Sequence, residues 1–270
     1  MKQKQRLSAP TVESGKITFA KLCHEELLRQ RQRDSIGLYA EKRLHSVLKR
    51  WMYDDFSAHE QKVPQRDGKI SRFVADILTP SGEIIEIQTG ELFPLARKIS
   101  FYMESTDFKV TLVHPLTAEK WVSWMDPVTG ELSARRRSPR HDTVLSGIAL
   151  LKPFARFLGD PRFCLLFPLV ELDEYRLLDG GGRSRKLRSH RYELMPLFLI
   201  DTVRLRERED YLAYFPTELP DRFTAKVFQK HTRLRGYALY DALAVFEALG
   251  AIERIGKEGR STLFQKIIKG

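Results

Sequence analysis

Apolar residues follow two different spacings along the first half of the chain. Over 36–52 they recur every three to four positions, which predicts an amphipathic helix. The segment 91–104 also has helical spacing, and Pro94 lies in its first turn, where proline is tolerated. Elsewhere short apolar stretches bounded by turn residues predict strands. The predicted strands lie at 55–64, 71–80, 83–90 and 109–115.

The order of these elements predicts the fold class. One helix, three strands, a second helix and a fourth strand follow one another within 36–115, which is typical of an α/β core with a crossover helix. A turn at Pro80-Ser81-Gly82 separates the second and third strands, so we expect them to pair as a hairpin. Residues 18–33 favour a further helix, whereas residues 1 to about 15 are polar and no element is predicted for them.

The middle of the chain gives weaker patterns, because its apolar runs are interrupted by proline, glycine and basic residues. The expected elements are a hairpin over 120–137 that turns at 127–130, a helix over 141–158 interrupted near Pro153, extended structure over 162–178, and a glycine-rich and then basic loop over 180–191.

The C-terminal residues have a pattern of their own. Helical spacing recurs in three short segments, and a pair of short strands follows around a turn at 256–259. Three helices followed by a β-hairpin resemble a winged helix-turn-helix domain. We therefore expect an N-terminal helical and basic extension (1–35), a main domain (36–200, with its core at 36–115) and a winged helix-turn-helix domain (205–270).

Three polar side chains stand inside the predicted hairpin of otherwise apolar strands. Because side chains alternate along a strand, Glu86 and Gln88 share one face of the third strand, and normal hairpin register places Asp76 beside Glu86. Two neighbouring carboxylates repel each other unless a cation lies between them. Mg²⁺ prefers hard oxygen ligands, so both carboxylates and the carbonyl of Ile87 make a plausible set of ligands.

This arrangement resembles the PD-(D/E)XK nuclease superfamily, which includes many restriction endonucleases. The superfamily has the same order of elements, with an acidic residue on the second strand and Glu-X-Lys on the third. Asp76 and Glu86-Ile87-Gln88 match these motifs, and Glu41 matches a glutamate that many members carry on the first helix. The resemblance implies phosphodiester hydrolysis dependent on Mg²⁺ or Mn²⁺. Asp76, Glu86 and Ile87 would hold the metal, Glu41 would assist through a water, and Gln88 would orient the nucleophile.

Gln88 departs from the superfamily motif, because it occupies the position of the lysine. Glutamine can orient a water molecule but supplies no positive charge. Some active restriction enzymes of this superfamily also have glutamine there. Lys98, on the following helix, is an alternative source of positive charge, although a solvated helix position is the interpretation that its surroundings favour. The second hypothesis is a non-catalytic DNA-binding or regulatory protein that keeps the nuclease fold as a scaffold.

The charge of the chain favours a polyanionic partner. Lys and Arg number 46 against 35 Asp and Glu, a net charge of +11, which indicates nucleic acid rather than a membrane. The charge does not distinguish DNA from RNA, and DNA is the partner that the nuclease and winged-helix resemblances imply. In the winged-helix resemblance, the helix near 236–249 would lie in the major groove, with its apolar face packed inward. The candidate nucleic-acid contacts are Arg233, Arg235, Tyr237, Tyr240, Lys257 and Arg260, together with Arg183, Arg185 and Lys186 in the basic loop.

Other function classes lack the residues that they need. Two cysteines are too few for a disulfide framework, and the histidines show no zinc-binding spacing. The glycines at 180–182 are not followed by the Gly-Lys-Ser/Thr of a phosphate-binding loop, and there is no Gly-X-Ser-X-Gly motif. No apolar run is long enough to span a bilayer. We therefore expect a soluble cytoplasmic protein, with a homodimer as a possible assembly.

Overall fold

A computed structural model describes residues 12–31, 40–181 and 188–267, and the following bounds refer to this part of the chain. Short 3₁₀ segments at Phe56–Ala58, Phe93–Leu95 and Lys152–Phe157 connect some of the main elements. The helices are α1 (Val12–Arg31), α2 (Ala40–Met52), α3 (Ala96–Ser105), α4 (Val144–Ala149), α5 (Arg208–Leu212), α6 (Ala225–Thr232) and α7 (Tyr237–Ala248).

The α/β class predicted from the sequence is confirmed, because eight of the strands form a mixed sheet and three more form a smaller one. The strands are β1 (His59–Pro64), β2 (Ile70–Leu78), β3 (Glu83–Ile87), β4 (Lys109–Val113), β5 (Leu116–Met125), β6 (Arg136–Arg137), β7 (Phe163–Leu177), β8 (His190–Leu205), β9 (Arg222–Thr224), β10 (Ile252–Glu258) and β11 (Ser261–Lys266).

The chain divides into two compact units, each assembled from three separate segments. The first unit contains the residues up to 57, 117–141 and 168–202, and the second contains 58–116, 142–167 and 203–270. The boundaries expected from the sequence, near residues 35 and 200–205, stay a prediction. The described helices include none that is both long enough and apolar enough to cross a membrane.

In the first unit, helix α1 packs against α2 through a buried aromatic contact. The rings of Phe19 and Trp51 meet edge to face with centroids 5.9 Å apart, and the Trp51 indole donates a hydrogen bond to the Gly15 carbonyl. Helix α1 begins at Val12, whereas the sequence pattern predicted a start near Thr18. The first turns lack an apolar stripe, so their helical structure depends on this tertiary contact and not on periodicity.

The predicted hairpin of the first unit is present as β5 and β6, which pair antiparallel. Asp126 fixes its turn, since one carboxylate oxygen accepts hydrogen bonds from the amides of Val128 and Thr129. The predicted extended segment is β7, which pairs with β8. Strand β8 had not been predicted, because proline and charged residues interrupt its alternation.

In the second unit, strands β1, β2 and β3 form an antiparallel meander, and β4 and β7 continue the sheet in parallel. The predicted hairpin of β2 and β3 has Ile77 opposite Ile85 and Leu78 opposite Ile84. Helix α3 makes the crossover from β3 to β4. The apolar runs of β3, β4 and the first part of β7 match their buried positions in this sheet.

Two arginines fix the C-terminal end of α3. Arg66 donates to the carbonyls of Glu104 and Thr106 at 2.8 and 2.7 Å, and Arg162 donates to those of Met103 and Thr106 at 2.8 and 2.9 Å. Cations at this end of a helix satisfy its unpaired carbonyls and oppose the negative end of its dipole. These four hydrogen bonds connect the end of α3 with the segments that precede β2 and β7.

The C-terminal segment of the second unit surrounds an aromatic core. Strand β11 pairs with both β10 and β9, and α7 packs its expected apolar face inward. The β10–β11 turn lies at Gly259 and Arg260, later than the 256–259 turn expected from the sequence, because Gly256 forms a bulge inside the ladder. The core phenylalanines are Phe215, Phe223, Phe228, Phe246 and Phe264.

Replacing Phe246 tests this aromatic core. Its side chain is fully buried and lies 5.0 Å from the ring of Phe215, so Phe246→Ala is expected to lower the free energy of unfolding by about 3–5 kcal/mol. Urea unfolding followed by circular dichroism measures this loss. Tyr240→Ala, on the exposed side of the same helix, should change it by only about 0.5 kcal/mol. Equal effects of both substitutions would contradict the packing described.

Candidate active site

Glu86 is a buried carboxylate in the middle of the sheet of the second unit. Its side chain is about 2% exposed. Lys98 Nζ donates to Glu86 Oε2 at 2.6 Å, and the Tyr102 hydroxyl donates to Oε1 at 3.0 Å. Residues four apart share one face of a helix, so α3 brings both donors to the same carboxylate. An acid in such surroundings requires these partners, since an unpaired buried charge is strongly destabilising.

Asp76 lies next to this carboxylate, at the point where β2 and β3 part. The observed register, continued by one residue, places Asp76 opposite Glu86. Asp76 Oδ2 accepts a hydrogen bond of 2.7 Å from the Ile87 amide. The next amide along the strand, that of Gln88, donates to Val113 on β4, so the Ile87 amide points to the opposite edge, towards β2. The Asp76 side chain thereby takes the place of a ladder partner.

The electrostatics of Glu86 bring its ionisation close to neutral pH. Burial raises the pKa of Glu86 from 4.5 to about 7, the Lys98 ammonium opposes this rise, and the negative charge of Asp76 adds to it. Burial beside Glu86 also raises the pKa of Tyr102, so its hydroxyl stays a hydrogen-bond donor. Carboxylates with a perturbed pKa next to a second carboxylate are typical of functional sites.

Lys98 is the site residue whose surroundings were predicted wrongly from the sequence. A solvated helix position had been favoured, but its side chain is only 19% exposed and its ammonium is bound to Glu86. The sequence contains one relevant signal, the spacing of Lys98 and Tyr102 on one helical face. That signal could not identify the partner, because the rotation of α3 against β3 is set by packing.

Gln88 follows directly after β3, and both polar groups of its backbone have hydrogen-bond partners. Its amide donates to the Val113 carbonyl, and its carbonyl lies 2.7 Å from His114 Nδ1. Burial lowers the pKa of His114, which favours the neutral ring. The side-chain Nε2 of Gln88 donates to the Glu91 carbonyl at 2.7 Å. The side-chain amide of Gln88 therefore stabilises the loop after β3, and its role in orienting a nucleophile stays a prediction.

The oxygen donors at this site fit a hard divalent cation in their chemistry. Asp76 and Glu86 supply neighbouring carboxylates, the type of oxygen donor that such a cation prefers, and Lys98 occupies Glu86 Oε2 in this structure. Among the described residues, no group of three or more His, Cys, Asp or Glu side chains could hold a metal ion. The Ile87 carbonyl stays a predicted ligand. Glu41 lies in the first turn of α2, and its side chain lies outside the described part of the structure.

The candidate nucleic-acid residues of the C-terminal segment are all exposed: Arg233, Arg235, Tyr237, Tyr240, Lys257 and Arg260. Two acidic residues on α7 would oppose the binding of DNA if their charges were unpaired, but each forms an ion pair with a basic side chain of the protein. Lys152 binds Asp241 at 2.7 Å and Arg254 binds Glu247 at 2.8 Å. Arg183, Arg185 and Lys186 lie outside the described residues.

The other basic run, 135–140, is partly engaged in contacts within the first unit. The Arg135 guanidinium lies 4.3 Å from the centre of the Trp121 ring and binds Asp173 at 2.7 Å. Arg137 binds Glu119 at 2.8 Å. These contacts explain two of its arginines as structural residues of the β5–β6 hairpin.

Comparison with known proteins gives one family match. A family model described as Domain of unknown function (DUF8091) matches residues 42–206. No curated protein and no solved structure matches the chain. The matched region begins in α2 and extends just beyond β8, so it contains Asp76, Glu86 and Lys98 and leaves out the C-terminal segment.

The raised pKa of Glu86 predicts a pH dependence of stability. Because the folded protein holds this proton more tightly than the unfolded chain, the contribution of Glu86 is complete below pH 4.5 and is lost as the pH rises towards 7. The difference in unfolding free energy between the parent and Glu86→Gln should change by on the order of 3 kcal/mol over this range. Urea unfolding at several pH values measures it.

Glu83→Gln is the matched control for this measurement, because it makes the same substitution on the same strand at a half-buried position. A constant difference between the parent and Glu86→Gln from pH 4.5 to 7 would contradict the electrostatic environment assigned to Glu86.

Proposed function

The chain belongs to the family described as Domain of unknown function (DUF8091), and we propose that it is a metal-dependent endonuclease-like protein that hydrolyses phosphodiester bonds in DNA. The observation that carries the proposal is the buried Glu86 carboxylate, which lies beside Asp76 and is bound by Lys98. A purely structural strand has no need of two neighbouring carboxylates and a half-buried lysine at one point.

The arrangement of elements around this site supports the resemblance to PD-(D/E)XK nucleases. Helix α2, strands β1 to β3, helix α3 and strand β4 follow one another in the order of that core. The first three strands are antiparallel and the fourth is parallel to the third. Asp76 and Glu86 lie on the second and third strands, which are the positions of the acidic residues in the superfamily.

Each site residue has a chemical task in this proposal. Asp76 and Glu86 hold Mg²⁺ or Mn²⁺, and Gln88 orients the attacking water through its side-chain amide. A divalent ion at such a site activates a bound water and stabilises charge on a phosphoryl oxygen. Lys98 supplies the positive charge that glutamine lacks at position 88. Its ammonium already lies between α3 and the carboxylates, so it can offset the negative charge that develops during hydrolysis.

The C-terminal segment would hold the protein on DNA as a winged helix. Helix α5, strand β9, helices α6 and α7 and strands β10 and β11 follow the order of a winged helix-turn-helix, and β11 lies between its two partner strands. The exposed Arg235, Tyr237 and Tyr240 lie at the start of α7 or on its outer side, and Lys257 and Arg260 lie in or beside the β10–β11 turn. Basic residues at these places can contact phosphates.

A specific observation also favours the second candidate, a non-catalytic DNA-binding protein with a nuclease-like scaffold. Both oxygens of Glu86 are already bound by donors of the chain, Lys98 and Tyr102. This arrangement neutralises the carboxylate without any ion. In that case Lys98 would replace the metal permanently, and DNA binding would proceed through the C-terminal segment alone.

Cleavage assays separate the two candidates. The parent protein is incubated with linear, nicked and branched DNA in Mg²⁺ or Mn²⁺, beside Asp76→Asn, Glu86→Gln and Lys98→Met. We expect each substitution to lower the cleavage rate by about 100-fold or more, because the first two remove carboxylates that would hold the metal and the third removes a positive charge near the reacting phosphate. Isothermal titration calorimetry should show that the two carboxylate variants also lose divalent-metal binding.

The control for this series is Glu83→Gln, whose side chain binds Thr111 and takes no part in the site. It should cleave as the parent does. Salt-sensitive DNA binding without cleavage in either metal would support the scaffold candidate, and the absence of metal binding would rule out the ligand roles of Asp76 and Glu86.

The salt dependence of DNA binding tests the C-terminal segment separately. Arg235→Ala should weaken binding to duplex DNA and lower the slope of log K against log salt by about 0.9, the value for one lost phosphate contact. Fluorescence anisotropy at a series of salt concentrations measures both quantities. Lys109→Ala removes an exposed charge at the start of β4 and is the control. Equal slopes for Arg235→Ala and the parent would place the DNA contact elsewhere.

A further inference from the structure

A cleft of about 410 Å³ opens between β2 and α3, near the candidate active site. We refer to it as the β2–α3 cleft. Its volume lies at the lower end of the range for small-ligand sites, which suits one small group rather than a double helix. The residues that give it chemical character are Gln65, Ser71, Arg72, Phe73, Arg97 and Phe101.

Two arginines give the cleft an affinity for anions. Arg72 and Arg97 are exposed, and among the described residues no carboxylate forms an ion pair with either of them. Guanidinium groups bind phosphates through paired hydrogen bonds. Two other arginines near α3 are already engaged, because Arg66 and Arg162 donate hydrogen bonds to carbonyls at the end of the helix. The cleft therefore keeps its positive charge available to a ligand.

Two phenylalanines give the cleft flat apolar surfaces. The rings of Phe73 and Phe101 are 5.0 Å apart and tilted, and both side chains are partly exposed. The Arg72 guanidinium lies 5.1 Å from the centre of the Phe73 ring, so one aromatic face is already covered by a stacked cation. Aromatic and guanidinium planes together are the surfaces on which unpaired bases stack.

The two elements that line the β2–α3 cleft, β2 and α3, also carry residues of the candidate active site. On α3, Arg97 and Phe101 line the cleft, and the adjacent Lys98 and Tyr102 bind Glu86. Tyr102 also touches both phenylalanines, with ring centroids 6.2 Å from Phe73 and 6.1 Å from Phe101. On β2, Asp76 follows four residues after Arg72, which lies in the irregular part of the strand opposite Lys62 and Pro64.

We propose that the β2–α3 cleft binds one unpaired nucleotide of the substrate, with its base against Phe101 and Phe73 and its phosphate between Arg72 and Arg97. A base inside a duplex cannot present its face to a side chain, so this site would favour single-stranded, branched or flipped-out nucleotides over continuous duplex. The inference rests on the proposed function for its catalytic consequence, because the bound nucleotide would hold the neighbouring phosphodiester near Asp76 and Glu86.

The test is a binding measurement in EDTA, which keeps it separate from cleavage. The full chain is titrated into fluorescein-labelled oligodeoxythymidine of about 12 nucleotides, within the site sizes of single-strand-binding proteins, and into the corresponding duplex. The quantity of interest is the ratio of the two dissociation constants. Phe101→Ala and Arg97→Ala should weaken single-strand binding by about 5- to 100-fold, the range expected for one stacked base or one charged contact, and leave duplex binding unchanged.

Two further variants guard against an effect of misfolding or of net charge. Phe101→Tyr keeps an aromatic face and should retain the ratio of the parent, and Arg206→Ala removes an exposed arginine outside the cleft and should also retain it. An unchanged ratio in both Phe101→Ala and Arg97→Ala would overturn the proposal.

The outcome also separates this inference from the proposed function. Asp76→Asn should lose cleavage and keep the single-strand preference. If the parent cleaves DNA but the cleft variants bind and cleave as the parent does, the nuclease proposal stands and the nucleotide site is refuted. If the preference depends on Phe101 and Arg97 but no metal supports cleavage, the nucleotide site stands and belongs to the scaffold candidate.

Discussion

The burial of Glu86 is the constraint on which the second unit depends. A carboxylate in the middle of a sheet is stable only with donors on both oxygens, and α3 provides them from Lys98 and Tyr102. The observed rotation of α3 against β3, which also depends on packing, meets this requirement. The same rotation turns Arg97 and Phe101 to the adjacent β2–α3 cleft, so one orientation of the helix serves both candidate sites.

Much of the fold could be predicted from periodicity and turn residues. The order of the elements, the hairpin of β2 and β3 and the crossover helix to β4 follow from local patterns, and so does the proximity of Asp76 and Glu86, because hairpin register is a local property. Helix α1 begins earlier than its pattern predicted, and β8 had no predictive pattern, because both are stabilised by contacts with distant segments. The partner of Lys98 escaped prediction for the same reason.

The buried Glu86 carboxylate is bound by the ammonium of Lys98, whereas the sequence motif predicts a bound metal ion as its partner. With Lys98 on Glu86, the folded chain needs no ion to satisfy its buried acid, so folding and metal binding can be independent of each other. Metal-dependent proteins without such a residue leave repelling carboxylates together until the ion arrives. Lys98 thus has a place in both candidate functions, as a residue of the reaction in one and as a permanent substitute for the ion in the other.

The arginines at the end of α3 have a kinetic consequence. Arg66 and Arg162 make four hydrogen bonds to carbonyls at the end of α3, and a slide of the helix along the sheet would break them. A ligand that approaches Glu86 Oε2 would displace the Lys98 ammonium, which breaks a single ion pair. Side-chain rotations are in general faster than helix shifts, which take microseconds or longer. Access to Oε2 would therefore depend on one side chain, while Tyr102 keeps its hydrogen bond to Oε1.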